Sequence, residues 1–89
     1  MEDLKLLQQK LKEMDGKDLS IKFEGSLRLL MNINNMQSIV TNTILLISNS
    51  DLQKNQEIEL ITDDIVSIEY VSKDIKINMN GNYSIYIGT

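Results

Sequence analysis

NMNGNYSIYIGT (residues 78–89) alternates polar and apolar side chains on both sides of an Asn80-Gly81 pair. Asn-Gly supplies the positive φ angles of a type I′ turn, so this stretch reads as a β-hairpin. Ile75, Ile77 and Met79 form its first arm, and Tyr83, Ile85 and Ile87 its second. Residues 82–89 carry no charge and the chain has no proline. An uncharged strand of this kind, if left unpaired, recruits another strand. The last strand is therefore expected either to close the fold or to form an interaction edge through Tyr83, Ile85, Tyr86 and Ile87.

Moving towards the N-terminus, the period-2 pattern persists. Leu19, Ile21 and Phe23 alternate with Ser20, Lys22 and Glu24, and the run ends at Gly25-Ser26. Leu27, Leu29, Met31 and Ile33 continue it, with Arg28, Leu30 and Asn32 on the opposite face. Asn34-Asn35 reads as a two-residue hairpin turn, because Asn tolerates positive φ. One strand is expected from Met36 to Ser48, and its TILLIS end, apolar on both faces, reads as central in a sheet. NSDLQKNQ (49–56) is a polar connection. Asp63-Asp64, between EIELI and IVSIEYV, marks a sharp bend or short turn. Only residues 3–14 carry the helical period, with Leu4, Leu7, Leu11 and Met14 in one stripe and Asp15-Gly16 as the stop. That stripe is expected to cover the open end of the strands.

These elements predict one domain over residues 1–89, a mainly β (α+β) fold. A helix at 3–14 precedes six or seven strands at 19–88, wound as a small antiparallel β-barrel or a strongly bent sheet. With 89 residues and no cysteine, the core is near the lower limit for a self-sufficient domain.

Composition excludes much chemistry. The chain lacks His, Cys, Trp, Pro and Ala, and Arg28 is its only arginine. Without His or Cys the common proton shuttles and thiol nucleophiles are missing, so no enzyme is expected. No cofactor or metal is expected either. Glu57, Glu59, Asp63 and Asp64 could gather oxygens for a divalent cation, but no Asp-x-Asp-x-Asp-Gly loop is present and a turn with a solvated face is favoured. A net charge of −4 disfavours an electrostatic hold on nucleic acid or on an anionic membrane. No apolar run of about 18 residues occurs. The acidic, amphipathic start MEDLKLLQQK lacks the pattern of a secretion signal, so a cytoplasmic location is expected. Asn82-Tyr83-Ser84 matches a glycosylation sequon and carries no weight without such a signal.

A helix followed by short bent strands is also the layout of the Sm-like proteins, including the bacterial Sm-like RNA chaperones. LSIKFEG resembles the first strand and turn of their first motif, with Gly25 as its glycine. VTNTILL is similar to the later part of that motif and would make Asn42 the base-contacting Asn. LITDDIVSIEYV resembles the second motif, with Leu60, Asp63 and Ile65 fitting the pattern. The Arg-Gly pair of that motif falls on Ile61-Thr62, and the bacterial Lys-His is missing. The resemblance implies a small barrel that forms rings through its edge strands. RNA contact, if made, would fall on Asn42, Thr62 and Asp63.

The favoured expectation is a protein-interaction module whose first partner is its own copy, a homo-oligomer. Single-stranded RNA and a host protein are the alternatives; the isoleucine-, asparagine- and lysine-rich usage fits a low-GC bacterium or a phage-like element whose product inhibits a host factor.

Overall fold

The structure is a computed structural model and describes residues 2–49 and 57–89; the expected polar connection at 49–56 lies almost wholly outside the described residues. Among the described residues there is one helix, α1 (Glu2–Glu13). Eight strands follow: β1 (Leu19–Glu24), β2 (Arg28–Ile33), β3 (Met36–Val40), β4 (Ile44–Asn49), β5 (Glu57–Ile61), β6 (Ile65–Val71), β7 (Asp74–Met79) and β8 (Tyr83–Gly88). A 3-10 turn at Thr62–Asp64 separates β5 from β6. The fold is mainly β with an N-terminal helix, as expected, but it has eight strands instead of six or seven. Among the described residues no helix is long and apolar enough to cross a membrane.

The extra strand comes from the Met36–Ser48 run, which folds back on itself at Thr41. Thr41 Oγ1 accepts the backbone N–H groups of Thr43 and Ile44 at 3.2 and 3.0 Å, and Thr41 N–H donates to the Ile44 carbonyl at 2.9 Å. A threonine side chain thus supplies the turn that glycine or proline would ordinarily signal. The apolar run after it, β4, is central in its sheet, as its two-faced pattern suggested.

The strands form two antiparallel sheets, ordered β2-β1-β8-β7-β6 and β3-β4-β5. Every ladder joins strands that are adjacent in sequence, apart from the one that brings β1 to β8. This is the order of an up-and-down barrel. Two junctions are unpaired among the described residues, β2 with β3 and β5 with β6, so the sheets do not close into a barrel.

Both openings arise at corners where the chain changes sheet. Asn34-Asn35 is the first, and it does not form the expected hairpin turn. Asn35 adopts φ +52, and its N–H donates to Asp18 Oδ1 at 3.0 Å. Met36 then pairs with the loop after α1, accepting from Gly16 N–H at 2.8 Å and donating to the Lys17 carbonyl at 3.0 Å. These bonds draw β3 towards the helix exit and away from β2. The 3-10 turn containing Asp63-Asp64 is the second corner, at the place where the acidic pair suggested a bend. Asn80 N–H donates to the Asp64 carbonyl at 2.7 Å, which ties that corner to the β7–β8 loop.

The β7–β8 hairpin exists, but its turn differs from the two-residue form. Met79 pairs with Tyr83, and the positive φ angles fall on Gly81 (+102) and Asn82 (+64). The strands are therefore joined by the three residues Asn80–Asn82.

The core lies between the sheets and α1. Leu7 and Leu11 are fully buried and Met14 nearly so, so the helical stripe packs into the core. Ile21, Ile75, Ile77, Ile85 and Ile87 cover the inner face of the larger sheet, and Leu45 and Ile47 that of the smaller.

Candidate functional site

Of the two roles expected for the C-terminal strand, closing the fold holds and serving as an interaction edge does not. β8 lies in the middle of the five-stranded sheet. Ile85 pairs with Phe23 of β1 and with Ile77 of β7, and Ile87 with Ile21 and Ile75. Ile85 is 1% and Ile87 0% exposed, so neither can meet a partner. Tyr83 turns inward and packs against the core. A Cβ on Gly25 would lie 2.8 Å from Tyr83 Cβ, so a glycine at 25 lets the two strands approach. Tyr86 takes the outer face, with Lys22 Nζ 4.9 Å and Lys76 Nζ 5.5 Å from its ring centroid. The strand closes the sheet from within its own chain, because β1 returns to its free side.

The residues singled out by the Sm-like resemblance do come together. Thr62 Oγ1 donates to the Asn42 carbonyl at 2.6 Å, and Thr62 N–H donates to the Thr43 carbonyl at 3.0 Å. Thr62 is buried, whereas Asn42 and Asp63 are exposed. The threonine latches the β3–β4 turn to the second corner, and its hydroxyl proton is engaged there. Glu57 and Glu59 face solvent, and no group of three or more acidic, His or Cys side chains is placed to hold a metal among the described residues.

Among the described residues β2, which ends the larger sheet, is the edge with the most exposed apolar side chains. Leu27 is 75%, Leu29 58% and Leu30 80% exposed, three large apolar side chains within four positions. The other sheet ends carry theirs more sparsely: Ile39 on β3, Ile61 on β5, and Val66 and Val71 at the two ends of β6. Natural edges are usually blunted by lysine, proline or a bulge. β2 has neither Lys nor Pro, and its register with β1 runs unbroken from Leu19↔Ile33 to Glu24↔Arg28. Its one charge, Arg28, leans back to Glu24 at 3.8 Å.

A depression flanks this edge on each face of the sheet. On the inner side Phe23, Leu27, Leu29 and Tyr83 line a cleft of about 220 Å³. On the outer side Leu30, Asn32, Ser20, Lys22 and Tyr86 line an open groove of about 480 Å³. One cross-strand row traverses the outer face as Leu30, Lys22, Tyr86, Lys76 and Glu69. Its cations already have partners. Lys22 pairs with Glu24 at 3.5 Å and Lys76 with Glu69 at 3.7 Å. A hydrogen bond and electrostatic interaction with Tyr86, then the charge of Glu69, push the Lys76 ammonium pKa up. The Asn78 amide, 2.9 Å away, and then Lys76 hold the Glu69 carboxyl below its usual range. The groove therefore presents no free basic surface of the kind a nucleic acid needs.

The signal for this edge was present in the sequence. Leu29-Leu30 breaks the alternation of β2 by putting apolar side chains on both faces, as Leu45-Leu46 does in β4. In β4 the pair marks a central strand; in β2 the same pair lies bare.

Comparison with known protein families, with curated proteins and with solved structures finds no match.

Proposed function

We propose that this chain is a non-enzymatic protein-interaction module that takes up a β-strand along the β2 edge. The observation that carries it is the exposure of Leu27, Leu29 and Leu30 on an edge with no guarding lysine or proline. An added strand gains affinity from main-chain hydrogen bonds and specificity from sites for its alternate side chains. The inner cleft and the outer groove are placed to receive those alternating side chains. Covering a bare leucine contributes on the order of 1.5–3 kcal/mol. Three such residues, set against an association cost of about 4–15 kcal/mol, favour a reversible complex over an obligate one. An RNA-binding role through Asn42, Thr62 and Asp63 draws no support from a buried Thr62 whose hydroxyl is bonded to backbone.

The test is photocrosslinking in cells with p-benzoylphenylalanine in place of Leu30, and separately in place of Glu59 on the exposed face of the smaller sheet. A discrete adduct from position 30 that position 59 does not give is expected. Indistinguishable patterns from the two positions would overturn the proposal.

A further inference from the structure

We infer that the strand seated on β2 is the β2 of a second copy, antiparallel to it and related by a two-fold axis through Leu30. This rests on the strand-accepting function proposed above and names its occupant.

The support is the pattern of β2 itself. In an antiparallel pair that continues one sheet, directly opposed residues share a face, so residues on the inner face must meet inner-face residues of the partner. On β2 the inner face carries Leu29, Met31 and Ile33, opposite Phe23, Ile21 and Leu19 of β1; the outer face carries Arg28, Leu30 and Asn32. A two-fold axis must then pass through a residue and not between two. Few choices remain. An axis through Arg28 sets two guanidinium groups directly opposite, which is destabilising. An axis through Leu29 leaves Leu30 facing Arg28 of the other copy, twice. An axis through Met31 sets Leu30 against Asn32 and pairs Leu29 with Ile33, which is already fully buried.

The axis through Leu30 opposes no like charges and leaves Leu30 facing neither Arg28 nor Asn32, although Leu27, just outside β2, then lies opposite the buried Ile33. Leu30, at 80% the most exposed of the large apolar side chains among the described residues, meets its own mate. Leu29 meets Met31 on the inner face, and Arg28 meets the uncharged Asn32 on the outer face. The two Arg28 side chains then stand four residues out of register, about 14 Å apart. One register thus matches apolar with apolar on both faces and opposes no like charges. The product is a continuous ten-stranded sheet with β2 and its copy at its centre.

The chain has no cysteine, so a single introduced thiol reports this geometry without interference. Leu30→Cys, Leu29→Cys and Arg28→Cys are oxidised in a glutathione buffer at equal concentration, and covalent dimer is quantified by intact mass. All three positions are exposed, and a thermal melt of each reduced variant checks that it folds. In the proposed register the residue-30 Cα atoms lie about 5 Å apart, within disulfide range. The residue-29 pair is separated by about 8 Å and the residue-28 pair by about 14 Å. Leu30→Cys is expected to dimerise about tenfold or more faster than Arg28→Cys, with Leu29→Cys between them. Equal rates for the three, or a maximum at 28 or 29, would overturn the inference. A foreign protein captured at position 30 by the photocrosslinker, together with no Leu30→Cys dimer, would also overturn it, while leaving the strand-accepting function intact.

Discussion

Ile85→Ala tests the placement of the last strand directly. Ile85 is 1% exposed and lies between Phe23 and Ile77 on the inner face of the larger sheet. The substitution removes three carbons, worth about 0.8 kcal/mol each on transfer from water, or about 2.4 kcal/mol together. The space left behind adds to this, because the five-stranded sheet holds its neighbours in place, and a total of about 3–4 kcal/mol results. An 89-residue domain has on the order of 4–13 kcal/mol of stability in all. Leu30→Ala, at 80% exposure, should cost within about 0.5 kcal/mol in the monomer. Urea unfolding followed by circular dichroism at low micromolar concentration reads both. With an m-value of about 1–1.5 kcal/mol/M, the Ile85→Ala midpoint falls by about 2–4 M while that of Leu30→Ala stays near wild type. If Ile85→Ala shifted the midpoint no more than Leu30→Ala, β8 would not be the buried centre of its sheet and the relocation of the edge to β2 would fall with it.

Gly25→Ala should lower stability by about 1–3 kcal/mol, because the new methyl would sit 2.8 Å from Tyr83 Cβ, and a change of the Tyr83 rotamer does not move that atom; a melting temperature equal to wild type would contradict this contact. The Glu69 carboxyl is held below its usual 4.5 by Asn78 and then Lys76, so the folded chain binds that proton less readily than the unfolded chain. Its contribution is therefore present above about pH 4.5 and is lost as pH falls through the lowered folded value. Because the group is exposed the effect is small, but Glu69→Gln should flatten the dependence of the unfolding midpoint on pH in the acid range, and an unchanged slope would argue against it.

Much of the architecture could be read from local pattern. The helix, its stop at Gly16, the alternation of β1, β7 and β8, and the bend at Asp63-Asp64 each follow from a few adjacent residues. The errors share a cause. Asn34-Asn35 has the chemistry of a hairpin turn, yet Asp18 captures the Asn35 N–H and Lys17 that of the neighbouring Met36, and no local pattern records that competition. The Thr41 turn lacks glycine and proline and was hidden inside an apolar run. Above all, the order of strands in a sheet is a long-range property. β8 looks like an unprotected end until β1, more than sixty residues earlier, pairs with its free side. The candidate edge was misplaced for that reason, although the double leucine of β2 was visible throughout.

The two unpaired junctions have a mechanical consequence. In a closed barrel, strand number and stagger together set the radius, so the interior cannot widen without breaking hydrogen bonds. Here the sheets are joined through two short corners and the side chains between them, and each sheet keeps its own ladders intact. Widening the gap between the two sheets would cost packing contacts and strain only the few main-chain bonds at the corners, such as those between Met36 and Gly16 and Lys17. Separating β1 from β8 would cost a row of them. Within each sheet the strands are held by main-chain ladders, and between the sheets mainly by side-chain packing. An enlarged side chain at Ile47 would be absorbed by spreading of the sheets, with the flat edge of β2 left undisturbed.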